Sequence, residues 1–420
     1  MTANKRATMT QRYDIVISGA NYTALSLACA LAQALRGDLS IAILDRSTGP
    51  TGPNLPNASP RAFAMSSGSK RMFEILGIWK GISDHAQPVS EIEITDSSLE
   101  AGIRPVLLTY DNHLDDGEPA SFIVPDAVIA TALRQAAKEA KNVEWITGAE
   151  AISFDEIPGG LSVALADGHS CVCSLLVAAD GRRSKIRDLA GIGVVEWDYK
   201  QSGICTTITH EEPHNGRAIQ HFLPSGPFAI LPLPGNKSCV TWTEERQEAN
   251  RLMAMDDTSF LDELTRRFGH KLGELSLVGT RASWPLSMHM ARRFIAPRIA
   301  LVGDTARGVH PIAGQGLNLG LRDVAALAET TTESVRVGLD AGDQQALERY
   351  ERWRRFDSTL STAAFDGLNR LFSNDTTLLR SLREAGLGLV DRLPFAKAAF
   401  VKEAAGLTGN PPRLLQGQPL

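Results

Sequence analysis

The sequence predicts an α/β protein in which one parallel-sheet domain is assembled from distant segments and a second, β-rich domain is inserted into it. Pieces typical of a nucleotide-binding sheet occur near residues 14, 180 and 303. Between the last two lies a stretch with strand-like alternation and turn residues. Helical periodicity then resumes at Leu317, which predicts C-terminal helices.

Expected domain bounds follow from the order of these pieces. Residues 1–84, 121–188 and 285–345 form the predicted nucleotide-binding domain, residues 85–120 and 189–284 the β-rich domain, and residues 346–420 a C-terminal helical segment. With 420 residues, 43% of them hydrophobic, the chain can build a large core. Its net charge of -5 argues against nucleic acid as a partner.

Cysteine usage and hydropathy point to the cytoplasm. Five scattered cysteines make no disulfide framework, which suits a reducing compartment. The pair Cys171 and Cys173 has no matching second pair or histidine cluster, so no metal site is expected. We find no run of 18 apolar residues and no apolar signal core after Lys5 and Arg6.

The first nucleotide-binding piece is a strand–turn–helix unit that begins at Asp14. Its turn matches the Rossmann fingerprint G-x-G-x-x-G/A at Gly19 and Ala24, whereas Asn21 takes the place of the middle glycine. Asp45 ends the next strand, where an acid accepts ribose hydroxyls. Two other interpretations remain open here: a plain strand–turn–helix connection, and a solvated acid in a turn.

The second and third pieces each place an acid after an apolar strand. Asp180-Gly181 follows a strand predicted to end near Val177, and Ser184 then begins a helix; an ordinary capped helix start is an equal alternative. Asp304 follows a strand, and a loop rich in glycine then leads into the helix at Leu317. A helix N-terminus offers free N–H groups, and glycine lets a cofactor approach the backbone.

Together these pieces resemble the FAD-dependent aromatic-ring monooxygenases of the para-hydroxybenzoate hydroxylase type. The run from His310 to Asp323 resembles the ubiquinone-biosynthesis hydroxylase branch of that family. Four further segments support the likeness: Pro60–Ser66, Leu76–Trp79, Gly216–Ala218 and Gly226–Leu233. The resemblance covers nearly the whole chain, and it implies a Rossmann-like FAD-binding domain with an inserted β-sheet substrate domain.

The resemblance also implies roles for individual residues around FAD. Gly19, Asn21 and Ala24 would form the turn at the pyrophosphate, and Asp45 and Arg46 would hold the adenosine end. The remaining implied positions are Arg61 near the flavin, Asp180 in support of the loops, Asp304 on the ribityl chain, and Pro311, Gly314, Gly316, Leu317 and Asn318 against the flavin ring.

The implied reaction is hydroxylation of a phenol ring through a flavin C4a-hydroperoxide, with O2 as oxidant and NAD(P)H or another reductant as electron donor. Such a site needs an apolar pocket that excludes water. The candidates that line it are Phe222, Phe228, Ile230 and Pro232, for which plain core packing is an equal alternative. His310 is a weak catalytic candidate that could equally be structural.

For the substrate, the resemblance implies a polyprenyl phenol of ubiquinone biosynthesis. Apolar residues from Leu378 onward suit either packing within the domain or a subunit, or peripheral contact with the inner face of the membrane. A biosynthetic complex and a homo-oligomer are both compatible with the chain. Two other functions stay open: a flavin monooxygenase for another aromatic compound, and a flavin-poor scaffold in which Asn21 weakens cofactor binding.

Overall fold

The computed structural model describes residues 11–48, 59–96, 106–310, 314–372 and 401–420, and it arranges their strands in three sheets. The strands are β1 (Gln11–Ser18), β2 (Ile41–Asp45), β3 (Ala62–Ser66), β4 (Gln87–Pro88), β5 (Glu91–Asp96), β6 (Val106–Asp111), β7 (Ser121–Pro125), β8 (Val143–Thr147), β9 (Ala151–Ile157), β10 (Gly160–Leu165), β11 (Ser170–Ala178), β12 (Val194–His210), β13 (Arg217–Leu223), β14 (Gly226–Leu233), β15 (Lys237–Glu245), β16 (Leu275–Ala291), β17 (Ile295–Ala296), β18 (Ile299–Leu301) and β19 (Arg307–Gly308). The helices are α1 (Tyr22–Ala34), α2 (Ser67–Ile75), α3 (Asp126–Glu139), α4 (Lys185–Leu189), α5 (Arg246–Met253), α6 (Asp257–Phe268), α7 (Gly316–Arg336) and α8 (Gln344–Phe372).

The first sheet is built around β1, which pairs in parallel with β2 on one side and β11 on the other. Parallel pairing continues outward to β8 and β18. Residues 15–18 of β1 are buried, as expected for a parallel sheet that is covered on both faces. This arrangement confirms the predicted α/β class with a Rossmann-like domain.

Register within this sheet brings the three predicted loops to one edge. Ser18 pairs with Ala178, and Ala178 pairs with Leu301, so three parallel strands end at the same level. Ligands of open α/β sheets bind outside the carboxyl ends of such strands. The loops that follow β1, β11 and β18 therefore share one crevice, although they lie more than a hundred residues apart in the chain.

The second sheet has the order β19-β16-β12-β15-β14-β13-β5-β6, and it combines strands from both predicted β-rich segments. Its buried apolar side chains form a core with residues of α5 and α6, including Trp242, Phe260 and Leu264. Alternation along the strands sends the other side chains to the opposite face. A small third sheet has the order β3-β7-β4.

Residues 401–420 are anchored to α7 and α8 by hydrogen bonds. The Trp353 indole donates to the carbonyl of Asn410 at 2.8 Å, and Glu329 accepts from the backbone N–H of Arg413 at 2.8 Å. The apolar run from Leu378 lies outside the described residues. Within the described residues, no helix is both long and apolar enough to cross a membrane.

A buried ion-pair cluster joins α7, α8 and the loop after β18. The Asp323 carboxylate accepts from Arg307 at 2.7 Å, from Arg354 at 2.8 Å and from the backbone N–H of Gly303 at 3.0 Å. The side chains of Asp323 and Arg354 are fully buried. Arg354 also pairs with Asp357. Removing one partner from such a cluster leaves an uncompensated charge in the interior.

We therefore expect Asp323→Ala to lower the free energy of unfolding by about 3–5 kcal/mol, because Arg307 and Arg354 would lose their shared carboxylate. Urea denaturation followed by circular dichroism measures this loss. Glu333→Ala is the control, since Glu333 pairs with Arg349 at an exposed position of the same helix and should change stability by less than about 1 kcal/mol. Equal effects of the two substitutions would contradict the proposed role of the cluster.

Candidate active site

The turn after β1 is fixed by Gly19 and Asn21. Gly19 has a φ of 114°, and a Cβ there would lie 2.3 Å from the Ala179 carbonyl oxygen, so this position requires glycine. Asn21 has a φ of -90° and extended backbone, which tolerates a side chain. The absence of a glycine at this position therefore does not strain the turn.

The Asn21 side chain caps α1 and ties the first loop to the second. Its Oδ1 accepts from the backbone N–H groups of Thr23 and Ala24, both at 3.1 Å. Its Nδ2 donates to the Ala179 carbonyl at 2.7 Å. Asn21 thus satisfies two of the N–H groups that a bare helix N-terminus would offer to an anion.

Asp180 supports the second loop, and its predicted place at the cofactor site stays a prediction. Its Oδ2 accepts from the backbone N–H of Lys185 at 2.9 Å, and Ser184 caps α4 by accepting from the N–H of Arg187 at 3.0 Å. The backbone N–H of Gly181 donates to the Thr305 hydroxyl at 3.0 Å. The D-G segment is therefore both a capped helix start and a brace for the loop that carries Asp304.

Asp304 presents its carboxylate to a large cavity. Within the described part of the chain, this carboxylate accepts no hydrogen bond, although the side chain lines the cavity wall. Confinement among protein atoms raises the pKa of Asp304, while the nearby Arg307, Arg182 and Arg61 oppose this shift. An acceptor that is accessible and unpartnered suits hydroxyl groups of a bound ligand.

Close packing holds the Asp304 loop against α1 and α7. Gly303 has a φ of 61°, and a Cβ on it would lie 2.9 Å from Thr23. A Cβ on Gly320 would lie 2.7 Å from the same Thr23 methyl group. Side chains at these two glycines would push the loop and helix α7 away from α1, and with them Asp304.

Two residues that the sequence did not single out, Arg182 and His289, lie beside Asp304. Arg182 donates from Nε to Nδ1 of His289 at 3.0 Å and also hydrogen-bonds the carbonyl of Ser287. Nε2 of His289 donates to the Asp304 carbonyl at 2.7 Å. Burial lowers the pKa of His289 to about 4, so the ring is neutral at pH 7 and accepts from Arg182.

The glycine loop before α7 contributes backbone to the same cavity. Gly314, Gly316 and Leu317 line it, and a Cβ on Gly316 would meet nothing within 4 Å. Asn318 is buried and joins the loop to β3 and α2. Its Oδ1 accepts from the backbone N–H of Ser66 at 3.0 Å, and its Nδ2 donates to the Ala64 carbonyl at 2.8 Å. Pro311 lies outside the described residues.

Asp45 and Arg46 are placed away from this cavity wall. Asp45 is buried at the end of β2, where it accepts from the backbone N–H of Ser47 at 3.0 Å and from the Trp145 indole at 3.2 Å. Arg46 is exposed. Their predicted contact with the adenosine end of FAD stays a prediction.

Arg61 lines the cavity between two aromatic rings. Its guanidinium lies 5.0 Å from the centroid of Phe63 and 4.9 Å from that of Trp284. Cation–π contacts of this kind orient a cation that remains accessible. The position agrees with the expected location of Arg61 near the flavin, which stays a prediction.

The cavity has a volume of about 1270 Å³ and extends from the nucleotide-binding loops to the second sheet. Phe222 lines its apolar side, as expected. Phe228 and Ile230 instead lie in the core with α5 and α6, on the far face of the sheet, because residues along a strand alternate. Pro232 lies two residues after Ile230, so its side chain points to the same face of the strand, and it is also buried. On this strand the cavity is lined by Ala229 and Leu231, which corrects the choice of face.

His310 is buried beside the ring of Tyr199, 5.1 Å between centroids. Among the described residues, neither of its ring nitrogens has a hydrogen-bond partner. Burial lowers the pKa of His310 to about 4, so the ring is uncharged at neutral pH. His310 is not among the described residues that line the cavity, and its weak catalytic assignment stays a prediction.

The parallel sheet, the crevice at its carboxyl edge and the accessible acid define a protein that binds a nucleotide cofactor. An FAD binding domain model matches residues 12–359, and the chain belongs to that family. It is 38% identical over 410 residues to ubiquinone hydroxylase UbiL of Rhodospirillum rubrum, covering 97% of this chain and 93% of that protein. Identity to human mitochondrial ubiquinone biosynthesis monooxygenase COQ6 is 30% over 423 residues, covering 89% and 88% of the two chains.

A solved structure gives the same result for the fold. The p-nitrophenol 4-monooxygenase PnpA from Pseudomonas putida DLL-E4 matches with a TM-score of 0.76 at 17% identity, covering 96% of this chain and all of that chain. These matches confirm the resemblance to the ubiquinone-biosynthesis branch of the FAD-dependent monooxygenases. The chain is an FAD-dependent monooxygenase.

The described residues fit FAD on structural grounds. Asp304 offers an unpartnered carboxylate for ribityl hydroxyls, and the backbone at Gly316 faces open space at the N-terminus of α7. Arg61 and Arg182 supply positive charge along the same wall. Among the described residues, no cluster of three or more His, Cys, Asp or Glu side chains could hold a metal ion.

Asp304→Ala should weaken FAD binding at least about tenfold, because hydrogen bonds to a charged acceptor contribute about 1.5–3 kcal/mol each. Titration of the FAD-free protein, followed by quenching of flavin fluorescence, gives the dissociation constant. Glu333→Ala serves again as the control, since Glu333 is remote from the cavity wall. Unchanged FAD affinity in the Asp304 variant would remove this residue from the cofactor site.

The neutral state of His289 predicts a pH dependence of stability. Below pH 6.5 the unfolded chain takes up a proton on this ring, whereas the folded protein does so only near pH 4. The unfolding free energy should therefore fall as the pH falls, with about 2 kcal/mol from His289 between pH 7 and pH 5. Urea denaturation at both values should show a correspondingly smaller fall for His289→Gln. His270→Gln, at an exposed position, should retain the wild-type dependence.

Proposed function

We propose that this protein is an FAD-dependent hydroxylase of ubiquinone biosynthesis that adds one oxygen atom from O2 to the ring of a polyprenyl phenol. NAD(P)H or another reductant would supply the electrons. Two relatives with ubiquinone in their names cover nearly the whole chain. The observation that carries the proposal is the cavity that joins the nucleotide-binding loops to an apolar sheet face.

The size and lining of the cavity support an apolar substrate beside the cofactor. Its volume of about 1270 Å³ exceeds the range of about 300–1000 Å³ that is usual for a single ligand. The sheet side is lined by aliphatic and aromatic side chains from four strands: Ile92, Ile94, Leu108, Phe222 and Leu231. A prenylated aromatic ring could bury its apolar surface there while FAD occupies the polar end.

Different residues of the chain would serve the polar, cofactor end and the apolar, substrate end of the cavity. FAD, when bound, supplies the reducing and oxygen-transfer chemistry. Asp304 would accept hydrogen bonds from the ribityl chain, and the N-terminus of α7 would favour negative charge on the ring. Arg61, held between Phe63 and Trp284, lies at the boundary of the two ends. The apolar wall would exclude water from the reacting centre.

A polyprenyl phenol resides in the lipid bilayer, which gives a reason for the expected peripheral contact. We propose that the protein works at the inner face of the membrane and takes its substrate from there. The support is the chemistry of the proposed substrate, because an apolar chain of this kind is poorly soluble in water.

The hydroxylation can be tested directly with the FAD-loaded protein. The flavin is reduced, and O2 and 2-geranylphenol, a phenol with a short prenyl chain, are then added. Mass spectrometry should show a product heavier by one oxygen atom, and 18O2 should label it. Release of all the oxygen as hydrogen peroxide with prenylated phenols, together with hydroxylation of an unprenylated aromatic acid, would contradict the proposed substrate class.

A further inference from the structure

The apolar wall of the cavity contains an amide side chain that neither the family resemblance nor the reaction uses. Gln220 lies on β13 and lines the cavity. Its register partners are Ile94 on β5 and Ala229 on β14, and both of them line the cavity as well. On its own strand, the next residues that face the same way are Ala218 and Phe222. Gln220 is thus surrounded by apolar side chains.

The amide nitrogen of Gln220 has no hydrogen-bond partner in the described part of the chain, and it is buried. Most buried polar groups in proteins are hydrogen-bonded, and an unpaired one costs free energy. Natural sequences retain such local conflicts mainly at functional sites. An apolar residue of similar length would fit this wall without that cost, so the amide calls for a function.

We propose that Gln220 determines substrate specificity by donating a hydrogen bond from its amide to an oxygen on the aromatic ring of the substrate. This inference rests on the proposed function. The terminal torsion of a glutamine side chain is broad, so a small rotation would bring the N–H2 group to the cavity surface. The ligand is then an aromatic ring with an acceptor oxygen, a phenolic, carbonyl or ether group, attached to an otherwise apolar body.

The placement of Gln220 favours the substrate over FAD as the acceptor. The residues that suit the cofactor come from the loops at the edge of the first sheet, among them Asp304 and Gly316. Gln220 belongs to the second sheet, whose cavity face is otherwise apolar on β13, β14 and β5. One donor in such a wall would fix the orientation of a ring that apolar packing alone leaves free to turn.

Gln220→Met, which keeps the length but removes the amide, tests the inference in the FAD-loaded protein with 2-geranylphenol. We expect KM to rise about three- to tenfold, the loss of one hydrogen bond, and more of the consumed O2 to leave as hydrogen peroxide. The FAD dissociation constant should not change. The Tm of the substrate-free protein should stay the same or rise, because a buried polar group without a partner is removed.

Leu223→Met is the matched control, because Leu223 lies on the same strand β13, packs in the core on the other face and is absent from the cavity wall. It should leave KM and peroxide release at wild-type values. An unchanged KM in Gln220→Met would overturn the inference, as would a Tm that falls together with the rise in KM, which indicates a structural amide. If the wild-type protein hydroxylates no prenylated phenol, the proposed function itself fails, and these variants play no part in that result.

Discussion

The carboxylate of Asp323 is the interaction on which the arrangement of the site depends. It holds the backbone N–H of Gly303, the residue directly before Asp304, and pairs with Arg307 and Arg354 from two other elements. Because Asp323 holds the backbone of Gly303, the Asp304 carboxylate can face the cavity without a hydrogen-bond partner of its own. The glycine contacts with Thr23 add a steric constraint on the same loop. Electrostatics and packing together position one accessible acid.

The same design explains why Asn21 is compatible with a cofactor site. The backbone at Asn21 is extended, so the conformational reason for glycine does not apply. Its side chain instead forms hydrogen bonds with the N-terminus of α1 and with the carbonyl of Ala179. The flavin-poor scaffold was suggested by this one position because a side chain there can crowd the pyrophosphate. The local geometry shows that the turn is unstrained, while Asn21 still lines the cavity wall. By capping α1, Asn21 makes two backbone N–H groups unavailable to an anion, while Arg182 and Arg61 supply positive charge elsewhere on the cavity wall.

The sequence predicted well those features that depend on local chain order. Apolar runs followed by polar turns predicted strand ends at Ser18, Val177 and Val302, each within one residue of the observed end, and parallel pairing then brings the three loops together. The face of a strand is harder to predict. In β14 the residues on both faces of the strand are apolar. The pattern therefore could not distinguish Phe228 and Ile230, which lie in the core, from Ala229 and Leu231, which line the cavity.

Contacts between side chains that are distant in the chain could not be predicted from the sequence. His289 lies more than a hundred residues from Arg182, and nothing near either residue indicates that they meet.

The proposed function depends on FAD binding at the shared crevice. Titrating the FAD-free protein while recording the visible spectrum tests this most directly. We expect one FAD to bind per chain and to show the shifted flavin absorption bands of a bound ring. If the folded protein binds no FAD at saturating concentration, the proposed function is wrong.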